Sequence, residues 1–168
     1  MTDTAPRPVR QIAPHGGTLI NRLATGEAAK ALLDRAAAAP KVTLGEVARS
    51  DLELIAIGVA SPNTGFMDHK TYQSVVKTMH LPNGLPWTIP LALPVDAATA
   101  ATLTEGKDVG LLDESGRIVG LLELTEKFTY DKEIEAQNVY GTTDGAHPGV
   151  ARVYAYGEYY LAGDVWML

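Results

Sequence analysis

The chain has 168 residues, 46% apolar and 20% charged, a globular composition long enough for one domain with its own core. Its net charge of -6, from 14 Lys+Arg against 20 Asp+Glu, disfavours a nucleic-acid partner, because neutralising phosphate supplies most non-specific affinity. There is no cysteine, which excludes disulfides and thiolate zinc sites, and no apolar run approaches the roughly 20 residues of a membrane span, so a soluble cytoplasmic protein is expected.

Residues 1–11 carry charges and two prolines and read as a flexible tail; residues 12–168 read as the folded domain. The alanine-rich stretch 28–39, with Leu32 and Leu33 as its stripe, predicts a helix starting near Thr25 and ended by Pro40. A short strand over 41–44 follows. Ser50 with Glu53 three residues later has an N-cap signature, predicting a helix that stops at Gly58. Ser61-Pro62-Asn63-Thr64-Gly65 is turn chemistry. Tyr72, Val75, Val76 and Met79 recur at helical spacing and predict a helix over 68–79. Residues 87–94 are strand-like but broken by prolines, which suits a sheet edge or a barrel rim. Asp96 caps a short helix reaching Leu103. Segments 109–113 and 117–124 flank Glu114-Ser115-Gly116, a hairpin whose second arm extends toward Tyr130. A short helix over 132–140 and a last strand over 159–168 complete the reading. Helices come first and strands dominate after residue 86. This order predicts an α+β fold, a small, mostly antiparallel barrel or curled sheet with flanking helices.

Few motifs carry chemistry. His15-Gly16-Gly17-Thr18 is either a turn or an anion cradle, since glycines let backbone N–H groups approach an anion. No two of His15, His69, His80 and His147 lie three or four apart, so no helical metal pair forms, and no metal site or catalytic residue is assigned. His69 reads as solvated. Carboxylate pairs such as Asp113/Glu114 and Glu133/Glu135 also read as solvated charge. Segment 140–149 sets Thr142, Thr143, Asp144 and His147 between glycines and a proline. It is either a polar loop displaying Asp144 and His147, or a loop whose Thr and Asp cap the following turn.

Three segments together resemble ATP sulfurylase (sulfate adenylyltransferase). They are Pro14-His15-Gly16-Gly17 with Leu19 and Arg22; Asp51-Leu52-Glu53-Leu54 through Ser61-Pro62, Thr64-Gly65-Phe66-Met67 and Trp87; and Tyr140-Gly141-Thr142-Thr143-Asp144, His147-Pro148-Gly149-Val150, then Tyr160-Leu161-Ala162-Gly163. The resemblance implies the N-terminal domain of that enzyme, a PUA-like pseudobarrel with added helices. The family converts ATP and sulfate to adenosine 5′-phosphosulfate and pyrophosphate with Mg2+. Its catalytic signatures, a Gln-x-Arg-Asn-Pro segment, a His-x-x-His pair and a Gly-Arg-Asp-His segment, are absent here. The expectation is therefore an accessory domain without catalysis or cofactor of its own, working beside a missing or separate catalytic domain. The alternative is a stand-alone module that pairs with a separate catalytic chain or binds RNA or a nucleotide. His15, Arg22, Thr142, Asp144 and His147 are the candidates for binding or for a domain interface. Asp164 stands where the family often has proline, and the last four residues, all apolar, either enter the core or meet a partner.

Overall fold

The computed structural model describes residues 12–168; the tail expected over 1–11 lies outside the described residues. Among these residues there are six helices, and six strands that form one mixed sheet. Helix α1 (Gly26–Ala38) leads to β1 (Lys41–Thr43) across Pro40, which cannot continue a helix. Helix α2 (Glu46–Ala56) is followed by β2 (Gly65–Phe66) and by α3 (His69–Thr78). The side chain of Asp68 accepts from the backbone N–H of Thr71 and so caps α3. Strand β3 (Leu93–Val95) precedes α4 (Ala97–Thr102), where Asp96 makes the same bond to Thr99.

The hairpin is β4 (Lys107–Leu112) and β5 (Ile118–Thr129). Its turn is fixed by Asp113, whose carboxylate accepts from the Ser115 hydroxyl, from the backbone N–H groups of Ser115 and Arg117, and from the Arg117 guanidinium. These donors hold its carboxyl well below the usual carboxylate range. Asp113 is therefore buried and paired, not solvated, while Glu114 beside it is exposed. Helices α5 (Lys132–Tyr140) and α6 (Pro148–Ala155) lead to the last strand, β6 (Tyr159–Met167).

The strand order is β1-β4-β5-β6-β2, with β3 also on β6. β1 runs parallel to β4, and the other pairings are antiparallel. The sheet is open, with β1 and β2 at its ends, so this PUA-like α+β fold does not close into a barrel. A bulge between Leu124 and Glu126 shifts the β5–β6 register and bends the long strand. Leu52, Ile55, Val75, Leu111, Leu122 and Val165 are fully buried in the single core cluster or its walls. Each contributes roughly 1.5–3 kcal/mol by leaving water.

Three segments differ from the sequence reading. Helix α2 starts at Glu46 after Gly45, not at Ser50. Ala48, Leu52, Ile55 and Ala56 form its buried face, and packing of that stripe carries the helix back past the Ser50/Glu53 pair. Residues 87–92 are irregular and only Leu93–Val95 is strand. Pro90 has no N–H to give a ladder, and the Trp87 indole N–H bonds the Ile89 carbonyl at 2.8 Å, which curls the chain. Helix α6 has no counterpart in the sequence reading.

Candidate functional site

A cleft of about 750 Å³ opens where α2, the irregular segment 86–92, α5 and α6 meet. The curled segment supplies one wall, with Trp87, Ile89 and Leu91 among its residues. Helix α2 contributes Val47 and Asp51, α5 contributes Glu135 and Tyr140, and α6 with its ends contributes His147, Arg152 and Tyr156. Tyr160 of β6 is part of the lining too.

Glu135 is 4% exposed, so the solvated reading of this carboxylate is corrected. It accepts from the Tyr72 hydroxyl at 2.8 Å and from the Tyr160 hydroxyl at 3.1 Å. Burial raises its pKa, and the two hydroxyls oppose that rise. The phenols respond in turn: burial and the neighbouring Glu135 push Tyr72 and Tyr160 upward. Around this pair lies an aromatic cluster in which Tyr130 stacks on Tyr160 at 3.7 Å and Tyr72 meets Phe128 at 5.5 Å. Asp51 is different. It makes no hydrogen bond or ion pair among the described residues, and burial pushes it up to about 6. Burial likewise pushes Tyr156 up to about 12. Arg152, the one Lys or Arg in the lining, has no carboxylate partner among the described residues.

The sequence candidates separate. His15 and His147 both line the cleft. His15 Nε2 lies 3.0 Å from the Pro86 carbonyl and its ring 6.1 Å from Trp87. Gly16 and Gly17 form a turn with positive φ, and no strand follows them. His147 is the N-cap of α6, its Nδ1 accepting from the Gly149 N–H at 3.2 Å, and its ring sits 5.2 Å from Tyr140. Pro148 at the first helical position was the sequence signal for α6. Thr142 and Asp144 are bonded within their own loop, Thr142 Oγ1 to the Asp144 N–H and Asp144 Oδ1 to the Ala146 N–H. They do not line the cleft.

Arg22 lies elsewhere. Its guanidinium donates to Asp164 at 2.8 Å and sits 4.7 Å over the Trp166 ring. Asp164 also accepts from Thr64 Oγ1 at 2.5 Å. The carboxylate at this position thus ties the segment before α1 to β6 and β2. A double-mutant cycle on Arg22→Ala and Asp164→Ala should return a coupling of about 0.5–1 kcal/mol in urea unfolding, modest because Asp164 is half exposed. A coupling of zero would make the pair incidental.

His69 also departs from expectation. It is half-buried and stacks on Phe128 at 4.9 Å, with Gln73 Nε2 at 2.8 Å from its Nε2. Several cations serve the scaffold. Lys127 donates to the Ala100 and Leu103 carbonyls at the end of α4, Lys132 to the Tyr154 and Tyr156 carbonyls at the end of α6, and Lys41 to the Ala37 and Ala39 carbonyls at the end of α1. Arg35 bridges Asp108 and Glu123. No group of three or more His, Asp or Glu converges as a metal site among the described residues, and no helix there is long and apolar enough to cross a membrane.

Residues 12–168 match the family described as the PUA-like domain. The sulfate adenylyltransferase of Synechococcus sp. (strain JA-3-3Ab) is 57% identical over 157 residues, covering 94% of this chain and 40% of the relative. That of Symbiobacterium thermophilum is 46% identical over 158 residues, with the same shares. The chain thus spans about 40% of the length of these relatives. Among solved structures, the hexameric APS kinase from Thiobacillus denitrificans superposes with a TM-score of 0.71 at 25% identity, over 94% of this chain and 27% of that one.

Proposed function

Since the chain belongs to the PUA-like domain family, we propose that it is the PUA-like domain of a sulfate adenylyltransferase. In that reading it folds by itself, is not catalytic alone, and works beside a catalytic part that supplies ATP and Mg2+ chemistry. The 57% identity to a relative of which it covers only 40% carries the proposal.

Physical chemistry supports the division. Adenylyl transfer develops charge over phosphate oxygens and needs cationic groups preorganised around them. The cleft sets Arg152 against Asp51 and Glu135, so its lining does not fit a triphosphate with its metal. Most other cations are held by carboxylates or helix-end carbonyls of the domain itself. His15 and His147 at the cleft and Arg22, Thr142 and Asp144 outside it are then interface or binding positions, not catalytic ones. Net negative charge supports the absence of a nucleic-acid partner, and a cytoplasmic location follows from the same family reading. The purified 168-residue chain should show no sulfate-dependent ATP–pyrophosphate exchange. Exchange above a buffer blank, in protein freed of host enzyme, would overturn the reading.

A further inference from the structure

An uncharged apolar surface runs along one rim of the cleft. Ile12, Leu19, Ile57, Val59 and Ile89 are each more than half exposed. A second depression, of about 550 Å³, is lined by Ile12, Pro14, Leu19 and Val59 among others, and none of its lining residues is Lys, Arg, Asp or Glu. It shares His15, Val59 and Ser61 with the cleft, so the uncharged depression adjoins the cleft wall that holds Trp87 and Ile89, while Asp51, Glu135 and Arg152 belong to the cleft itself. A Cβ on Gly58 would lie 2.4 Å from the Ile20 carbonyl and 2.7 Å from Leu19, so the two strips of the surface are in direct contact. Exposed apolar area of this kind is costly in water and marks interaction sites. Depletion of charge is what interface cores show.

We propose that this surface is where the catalytic part of the sulfate adenylyltransferase docks, an inference that rests on the function proposed above. Two observations favour that occupant over a second copy of the chain. The relatives hold about one and a half times as much chain again beyond the part matched, since the chain covers 40% of them. The last strand also ends at the border of the surface. The Met167 N–H bonds the Arg22 carbonyl at 2.9 Å, and the Arg22 N–H bonds the Ala56 carbonyl at 2.9 Å. Exposed Ile57 follows Ala56 directly and Leu19 lies three residues before Arg22, so polypeptide continuing from the end of β6 would start next to the strand-end clasp that borders them.

The test replaces the matched segment of the Synechococcus sp. (strain JA-3-3Ab) enzyme by this chain. Three chimaeras are compared: the unaltered one, Ile57→Glu with Val59→Glu, and Leu33→Glu on the exposed face of α1 as control. Sulfate-dependent exchange and proteolytic nicking between the two parts are the readouts. The expected result is activity in the unaltered and control chimaeras. The double variant should lose at least about tenfold in kcat/KM and be nicked faster. If the unaltered chimaera is inactive while the parent enzyme works, the functional reading falls and takes the docking surface with it. If the double variant matches the unaltered chimaera, the docking surface is wrong and the functional reading stands. If the 168-residue chain dimerises through Ile57 and Val59 while the chimaera ignores their loss, the occupant is a second copy and the inference is overturned. Should the two glutamates lower the unfolding midpoint of the isolated chain, Val59→Ser and Ile57→Ser singly replace them, with the same outcomes.

Discussion

Alanine at Gly163 is expected to leave the protein without a stable native state. Gly163 sits in β6 beside the β5 bulge with φ of 147°, a backbone region that side chains rarely adopt. A Cβ there would lie 2.0 Å from the Glu123 carbonyl oxygen of β5. From the opposite side, the Gly163 carbonyl is where a Cβ on Gly65 of β2 would arrive, at 1.9 Å. The Glu123 obstruction is backbone, so no rotamer change relieves it, and the sheet would have to part between β5 and β6, its longest pairing. The cost should exceed about 4 kcal/mol, a large share of the roughly 5–15 kcal/mol that holds a domain folded. Gly116 in the hairpin turn is the control. Its φ is also positive, 82°, but nothing lies within 4 Å of its Cβ position. Gly116→Ala should cost about 1 kcal/mol, from backbone strain alone. Urea unfolding of the two variants checks the contrast. Equal losses would show that close strand approach is not what requires Gly163.

That contrast shows what the amino-acid order discloses and what it hides. Asp68 and Asp96 cap the helices that follow them, and Pro40 ends α1, because capping depends on neighbours three residues away. The hairpin was legible for the same reason. The start of α2 was not, because Ser50/Glu53 imitates a cap and only the buried face Ala48–Leu52–Ile55 shows that the helix is already under way. Helix α6 had a signal, Pro148 followed by Val150 and Val153, that loop-like chemistry before it obscured. The cleft was legible only in part. His15 and His147 were singled out and do line it, but Asp51, Trp87, Glu135, Arg152 and Tyr156 come from segments that tertiary packing alone assembles. Glu135 and Glu133 look alike in sequence. The difference is which face of α5 turns toward Tyr72 and Tyr160.

Asp51→Asn is expected to stabilise the domain at neutral pH and not at acid pH. Burial without a partner raises the folded-state value to about 6, against 3.8 for the exposed group. The folded chain therefore holds its proton more tightly than the unfolded chain does. As pH rises from about 4 to about 6 the unfolded state ionises first, and the stability of the wild type falls; above that window the loss is complete. The full shift corresponds to about 3 kcal/mol at most, reduced to about 1–2 by the water that reaches this cleft-lining side chain. Asparagine keeps the shape and removes the titration, so at pH 7.5 it should gain about that amount over wild type, and at about pH 3, below the unfolded-state value, the two should nearly coincide. Glu135, His15, His147, Arg152 and Tyr156 share the cleft and remain in both proteins, so the difference curve isolates Asp51. Urea midpoints at the two pH values decide the matter, and a wild type more stable than Asp51→Asn at pH 7.5 would refute it.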